Sequence, residues 1–169
     1  EKHYQSALSL LEEGDLDRAV VELRNVFKLD GQHRDARKAF AKIQRDRGNI
    51  REAIGQYLRL VEQYPDDLDG QRALAELQLS VSNWPESERH VDAALALEPN
   101  DLPSQAIRRV IDYGQALEAK DEAAIAAAVK AVSDLKEKLP DNLPLRQVII
   151  DNYVKKSDFS AALEELDAA

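Results

Sequence analysis

The 169-residue chain contains no cysteine, no methionine and no threonine. Without cysteine there is no disulfide, no thiolate metal site and no cysteine nucleophile. No apolar run approaches the roughly 18–20 residues that a membrane span needs, and nothing at the start reads as a signal peptide. The chain opens at Glu1 and stops at "EELDAA" with no closing signal, which reads as a piece of a longer protein. Catalytic motifs are lacking too. There is no Gly-rich phosphate loop and no G-x-S-x-G elbow. The three histidines, His3, His33 and His90, have no metal-ligand spacing. "DDLDG" at 66–70 lacks the later ligands of a calcium loop. The paired glutamates at 12–13 and 164–165 lie on ordinary helical stretches. The expectation is therefore no catalytic residue, no cofactor, no metal and no enzyme.

What is abundant is alanine, leucine, glutamate and arginine, which favours helix over sheet. Glycine and proline number six each, and 33% of residues are charged. Net charge is −9 and unevenly spread. Residues 1–67 hold 12 basic and 13 acidic side chains; residues 68–169 hold 11 and 19. Within the first part, Arg34 to Arg51 carries seven basic residues against two acidic ones. That block is a candidate for nucleic-acid binding, but the overall acidity opposes it and it lacks interleaved aromatics beyond Phe40.

The chain also repeats itself, which is the first thing to settle. "YPDDL" (64–68), "EPNDL" (98–102) and "LPDNL" (139–143) share one grammar. Pro65 and Pro99 are 34 residues apart; Pro99 and Pro140 are 41 apart. "EEGDLDRA" (12–19) aligns with "DRGNIREA" (46–53), "SVSNWPES" (80–87) and "KKSDFSAA" (155–162). In each, a small residue opens a turn: Gly14, Gly48, Ser82, Ser157. Asp or Asn follows, then a large apolar residue, then three further on a small one: Ala19, Ala53, Ser87, Ala162. Small side chains at those points let two helices cross closely. Asn49 with Glu52, and Asn83 with Glu86, have capping-box spacing. Asp67, Asp101 and Asn142 are placed to cap the helices that follow the prolines. The seven extra residues between Pro99 and Pro140 predict one added turn on each helix of that repeat, with helices over 102–119 and to about 138 and a turn near Lys120–Asp121.

A 34-residue period with this grammar resembles the tetratricopeptide repeat (TPR) family. The family's helix-A tryptophan is absent, and Gly31 stands where its proline is usual. The resemblance implies an all-α fold: a right-handed superhelical α-solenoid of five hairpins over 1–31, 34–65, 68–99, 102–140 and 143–169, forming a single array. It also implies a concave groove lined by the first helix of each repeat. The groove candidates are Tyr4, Leu8, Lys38, Lys42, Arg45, Arg72, Glu76 and Leu79. Lys38, Lys42 and Arg45 fall on one helical stripe, suited to an acidic or extended peptide; the alternative is a solvated face that offsets nearby acids. The family's carboxylate clamp for chaperone C-termini is not reproduced: its positions hold Tyr4, Leu8, Ala39, Asp69 and Ala73. The phrase "AVVELRN…LD…AR" within 19–37 looks like bacterial exported TPR lipoproteins, which implies a cell-envelope location rather than the cytoplasm.

The leading functional expectation is a non-enzymatic scaffold that binds a partner protein or peptide and helps assemble a bacterial complex. The alternative is an accessory repeat region of an enzyme, transporter or exopolysaccharide or secretion component. Self-association stays open through Leu163 and Leu166 of the last helix.

Overall fold

A computed structural model describes residues 1–167 of the chain. Among the described residues it contains ten α-helices and no strand. They are α1 (Lys2–Glu12), α2 (Leu16–Leu29), α3 (Arg34–Asp46), α4 (Ile50–Gln63), α5 (Leu68–Ser80), α6 (Trp84–Leu97), α7 (Leu102–Ala119), α8 (Glu122–Lys136), α9 (Leu143–Lys155) and α10 (Phe159–Asp167). None is long and apolar enough to cross a membrane. The chain divides into two compact units, Glu1–Asn83 and Trp84–Ala169.

In the first unit the turn grammar has a clear backbone cause. Gly14 and Gly48 adopt φ of 77° and 75°, and Ser82 adopts 59°. This left-handed residue lets the next amide reach back to the preceding helix: Asp15 N–H to Leu10 O, Asn49 N–H to Gln44 O and Asn83 N–H to Gln78 O, each 2.8 Å. Two carbonyls at each helix end are thereby satisfied. Asp15 then caps α2 by accepting from Arg18 N–H at 3.1 Å.

The capping boxes expected from Asn49 and Glu52 do not form. Asn49 makes no side-chain cap to α4; its Nδ2 donates to Gln44 Oε1 at 2.8 Å, and Glu52 accepts from Gln56 instead. Asn83 donates in the same way to Gln78 Oε1 at 3.0 Å. The left-handed turn brings each Asn amide beside a buried glutamine, and the glutamine needs a partner more than the helix end does.

The joint before α5 behaves as the sequence indicates. Asp67 caps α5 by accepting from Gly70 N–H at 2.9 Å. His33 occupies the same place 34 residues earlier and caps α3, its Nδ1 accepting from Ala36 N–H at 3.2 Å. A second device recurs six residues into each joint. Arg37 donates to Gly31 O, and Gln71 Nε2 donates to Pro65 O at 3.0 Å. Each buried donor ties the loop carbonyl to the start of the following helix.

Packing follows the small positions. Ala19 and Ala53 are fully buried. Leu23, Val26, Ala36, Phe40 and Ile43 build one cluster; Tyr57, Leu60, Leu74 and Leu77 build the next. A Cβ at Gly70 would lie 3.0 Å from Leu60 Cδ2 and from Val61 Cγ1, so α5 crosses α4 as closely as a glycine allows.

The second unit repeats these devices with one change. Asp101 caps α7 through Ser104 N–H at 3.0 Å, and Asn142 caps α9 through Leu145 N–H at 3.1 Å. Gln105 Nε2 holds Pro99 O at 2.8 Å. Lys120 takes the left-handed turn position with φ 54°. The seven added residues are not shared as one turn per helix. α7 has 18 residues against 13 in α5, while α8 has 15 against 14 in α6. The excess lies mainly in α7, because Lys120 and Asp121 close the turn only after α7 has run past its neighbour. Tyr113, Val132, Leu135, Leu145 and Ile149 form the core of this unit. Glu165 of α10 is held by Lys136 of α8 at 2.6 Å and Arg146 of α9 at 3.3 Å.

Candidate functional site

The candidate groove residues of the first unit lie on α1, α3 and α5. Tyr4 is half-buried on α1, its ring 4.6 Å from that of His33. Burial, with help from Asp35, pushes its hydroxyl pKa up, and Lys38 opposes. Leu8 is half-buried one turn on, and Leu11 packs on the adjoining core.

The stripe on α3 is tied to α5 by ion pairs. Lys38 Nζ lies 3.0 Å from Asp69 and 3.3 Å from Asp67. Arg45 meets Asp46 at 3.2 Å and Glu76 at 3.9 Å. Arg72 meets Asp69 at 2.8 Å. Leu79 is half-buried on α5. The structure thus brings Lys38, Arg45, Arg72 and Glu76 together as an interhelical ladder. Lys42 stands apart from it: exposed, with no ion partner among the described residues.

Asp67 is the hub that sequence reading took only for a cap. Its side chain is 1% exposed, and Arg34 Nε approaches it at 2.6 Å. Burial opposes its charge, but the Gly70 N–H, Arg34 and Lys38 outweigh burial and hold its pKa below the usual carboxylate value. For Lys38, burial works against the charge, and Asp69 and Asp67 outweigh it to raise the pKa. Arg34 opens α3 33 residues before Asp67, the buried cap of the next repeat.

The rest of the basic block is also engaged. Arg37 is buried, stacks 5.2 Å over Phe27 and donates to Gln56 Oε1 at 3.0 Å. Arg47 meets Asp17 at 2.7 Å. Among the described residues only Lys42 and Arg51 of that block lack a close partner, so it presents far less free positive charge than its composition suggests.

In the second unit, Tyr113 of α7 donates to Asp151 of α9 at 2.6 Å, and Lys155 meets the same carboxylate at 2.8 Å. Burial, then Asp151, pushes the Tyr113 hydroxyl pKa well up. Tyr113 lies in the lengthened repeat, whose register the sequence does not reveal.

Residues 10–77 match the family model of the tetratricopeptide repeat. No curated protein matches the chain by sequence. Solved structures match it in fold. A tetratricopeptide repeat protein from Parabacteroides merdae superposes with a TM-score of 0.77 at 12% identity, over 98% of this chain and 62% of that one. This chain therefore spans less than two thirds of that protein. The MamA protein matches with a TM-score of 0.72 at 16% identity, over 98% and 87% of the two chains. YrrB, described as a TPR protein with an unusual peptide-binding site, matches with a TM-score of 0.71 at 16% identity, over 98% and 82%. Residues 10–77 thus resemble the tetratricopeptide repeat by sequence, and the chain as a whole shares the all-α hairpin fold of these solved structures. Such a fold is, in general, a scaffold for protein–protein interaction rather than a catalyst.

Proposed function

We propose that the α1–α3–α5 face of the first unit receives an extended segment of a partner protein, and that the chain acts as a non-enzymatic assembly scaffold. The observation that carries this reading is Lys42. Its neighbours Lys38, Arg45 and Arg72 spend their charge on α5 or on nearby acids. Lys42 is left as the cation of that stripe available to a carboxylate of an incoming segment. Half-buried Tyr4, Leu8 and Leu79 supply apolar contact on the same set of helices. The peptide-binding site described for YrrB supports the class of ligand. The partner so defined is extended, mainly apolar, and carries one well-placed acidic group rather than an acidic run. A role in a bacterial complex at the cell envelope follows from the resemblance of residues 19–37 noted above.

The test is a pull-down with Lys42→Glu. The side chain is exposed, so circular dichroism should be unchanged while capture falls at least about tenfold, as expected when a charge-assisted contact of about 1.5–3 kcal/mol is reversed. Undiminished capture contradicts the reading. Lys38→Glu is a poorer test, because it places another acid beside buried Asp67 and disturbs the fold.

A further inference from the structure

Arg37 carries a buried charge that no carboxylate answers. The residue is 7% exposed. Its Nη1 donates to Gln56 Oε1 at 3.0 Å, its Nη2 donates to the Gly31 carbonyl, and the Phe27 ring lies 5.2 Å away. Two neutral oxygens and an aromatic face offset the desolvation of a guanidinium less than a carboxylate does. Its Nε is buried with no hydrogen-bond partner, so one donor is unspent. Burial, then Arg59, lowers its pKa. Arg59 stands one turn beyond Gln56 on α4, exposed and, among the described residues, without an ion pair.

The internal repeat shows what such an arginine otherwise meets. Arg146 stands to Arg37, and Glu165 to Gln56, as Ala162 stands to Ala53. The separation is 19 residues in both pairs. In the second unit Arg146 is equally buried at 6%, and its Nε lies 3.3 Å from Glu165 Oε1. The first unit keeps the arginine and puts an amide where that carboxylate stands. The other two repeats remove the charge instead. Gln71 and Gln105 occupy the arginine position and hold Pro65 O and Pro99 O. Of these four side chains, Arg37 is the cation without an anion.

We propose that Arg37, Gln56 and Arg59 form a site for one carboxylate, carried by a small acid or by an acidic side chain of a partner protein. The anion supplies to Arg37 what Glu165 supplies to Arg146. The Nε–H and the unspent hydrogens of the two terminal nitrogens are its donors. Gln56 already receives Arg37 and is itself anchored, its Nε2 donating to Glu52 at 2.8 Å. Exposed Arg59 adds a second cation from the solvent side of α4. The site shares no residue with the α1–α3–α5 face, so the two readings stand or fall separately.

The probe is acetate, titrated into isotope-labelled protein against sodium chloride at equal ionic strength. NMR follows the Arg37 Nε–H and the backbone amides of residues 55–60. The expected result is a saturable shift that chloride does not reproduce. N-acetylglutamate α-amide is titrated in the same way: tighter binding than acetate assigns the carboxylate to a protein side chain, and equal or weaker binding assigns it to a small acid. Arg59→Gln should weaken binding about threefold, the share of one exposed charge. Arg37→Gln installs the residue type that positions 71 and 105 carry, so the fold persists, and it should abolish binding. The paired exchange Glu52→Gln with Gln56→Glu keeps net charge and the bond between the two side chains, and gives Arg37 a carboxylate of its own. It should abolish the shift and raise Tm. No shift, a shift that does not saturate or that chloride matches, binding that survives the paired exchange, or a Tm that the exchange lowers overturns the proposal.

Discussion

Lys38 reaches from α3 to within 3.3 Å of Asp67, a carboxylate that is 1% exposed and caps the start of α5. The joint between two repeats is thus both a helix cap and a buried charge held by cations of the preceding helix A. Replacing Asp67 by Ala removes the cap and takes the carboxylate from Arg34, while Lys38 keeps Asp69. The expected cost is about 3 kcal/mol, from about 1 for the cap and about 2 for the charged hydrogen bonds. Asp69→Ala, whose side chain is 58% exposed, should cost less than about 1 kcal/mol. Urea unfolding of the two variants checks the contrast.

The same carboxylate predicts a pH dependence. Its pKa is lowered in the folded chain, so the unfolded chain binds its proton first as pH falls. Its stabilisation is complete above the ordinary carboxylate range and is lost as pH drops through the folded value. Asp67→Asn keeps the capping oxygen and should flatten the acid limb of a stability-versus-pH curve. An acid limb as steep as that of the parent chain counts against the role.

His90 predicts a separate limb at higher pH. It is 1% exposed, and burial, reinforced by Arg89 and opposed by Glu86, lowers its pKa to about 4. The unfolded value is about 6.5. Stability should therefore fall as pH drops from about 6.5 towards 4, by at most about 3 kcal/mol. His90→Gln should lose that part of the dependence, as read by thermal unfolding at pH 7 and pH 5.

Much of this was legible in the sequence, for a physical reason. Gly14 and Gly48 mark left-handed turns, the small residues Ala19 and Ala53 mark helix crossings, and Asp67, Asp101 and Asn142 mark helix starts. Each is a local requirement that only a few residue types meet. Partner choice is different. Asn49 had two possible bonds, and sequence spacing favoured Glu52, whereas the folded turn delivers Gln44. Lys38 and Arg45 formed a basic stripe on paper because Asp69 and Glu76, which they meet, lie on another helix; Arg72 is neutralised by Asp69 of its own helix. The placement of the seven extra residues was hidden for a similar reason: length alone does not say which helix takes them.

Turn chemistry gives a stabilising prediction. Lys120 sits at φ 54°, a conformation that costs a non-glycine residue about 1–2 kcal/mol. Lys120→Gly should stabilise the second unit by about 0.5–1 kcal/mol, the gain being reduced by the greater freedom of unfolded glycine. Gly48→Ala should do the reverse. Thermal denaturation measures both, and destabilisation by Lys120→Gly would contradict the turn assignment.

The single tryptophan reports on α7. A Cβ at Gly114 would come within 3.1 Å of two Trp84 ring atoms. Gly114→Val should displace the indole, red-shift its emission and destabilise the second unit by about 1–3 kcal/mol. Unchanged fluorescence would mean that the ring does not rest on Gly114.

The central functional claim is that the cation left free on α3 faces the partner. The most direct measurement places a photo-crosslinking amino acid at position 42 and, in a second protein, at position 51. Both parent residues, Lys42 and Arg51, are exposed and without an ion partner among the described residues, but they lie on α3 and α4 respectively. The account predicts a partner crosslink from position 42 and little or none from position 51. Equal crosslinking from both, or crosslinking from position 51 alone, would contradict it.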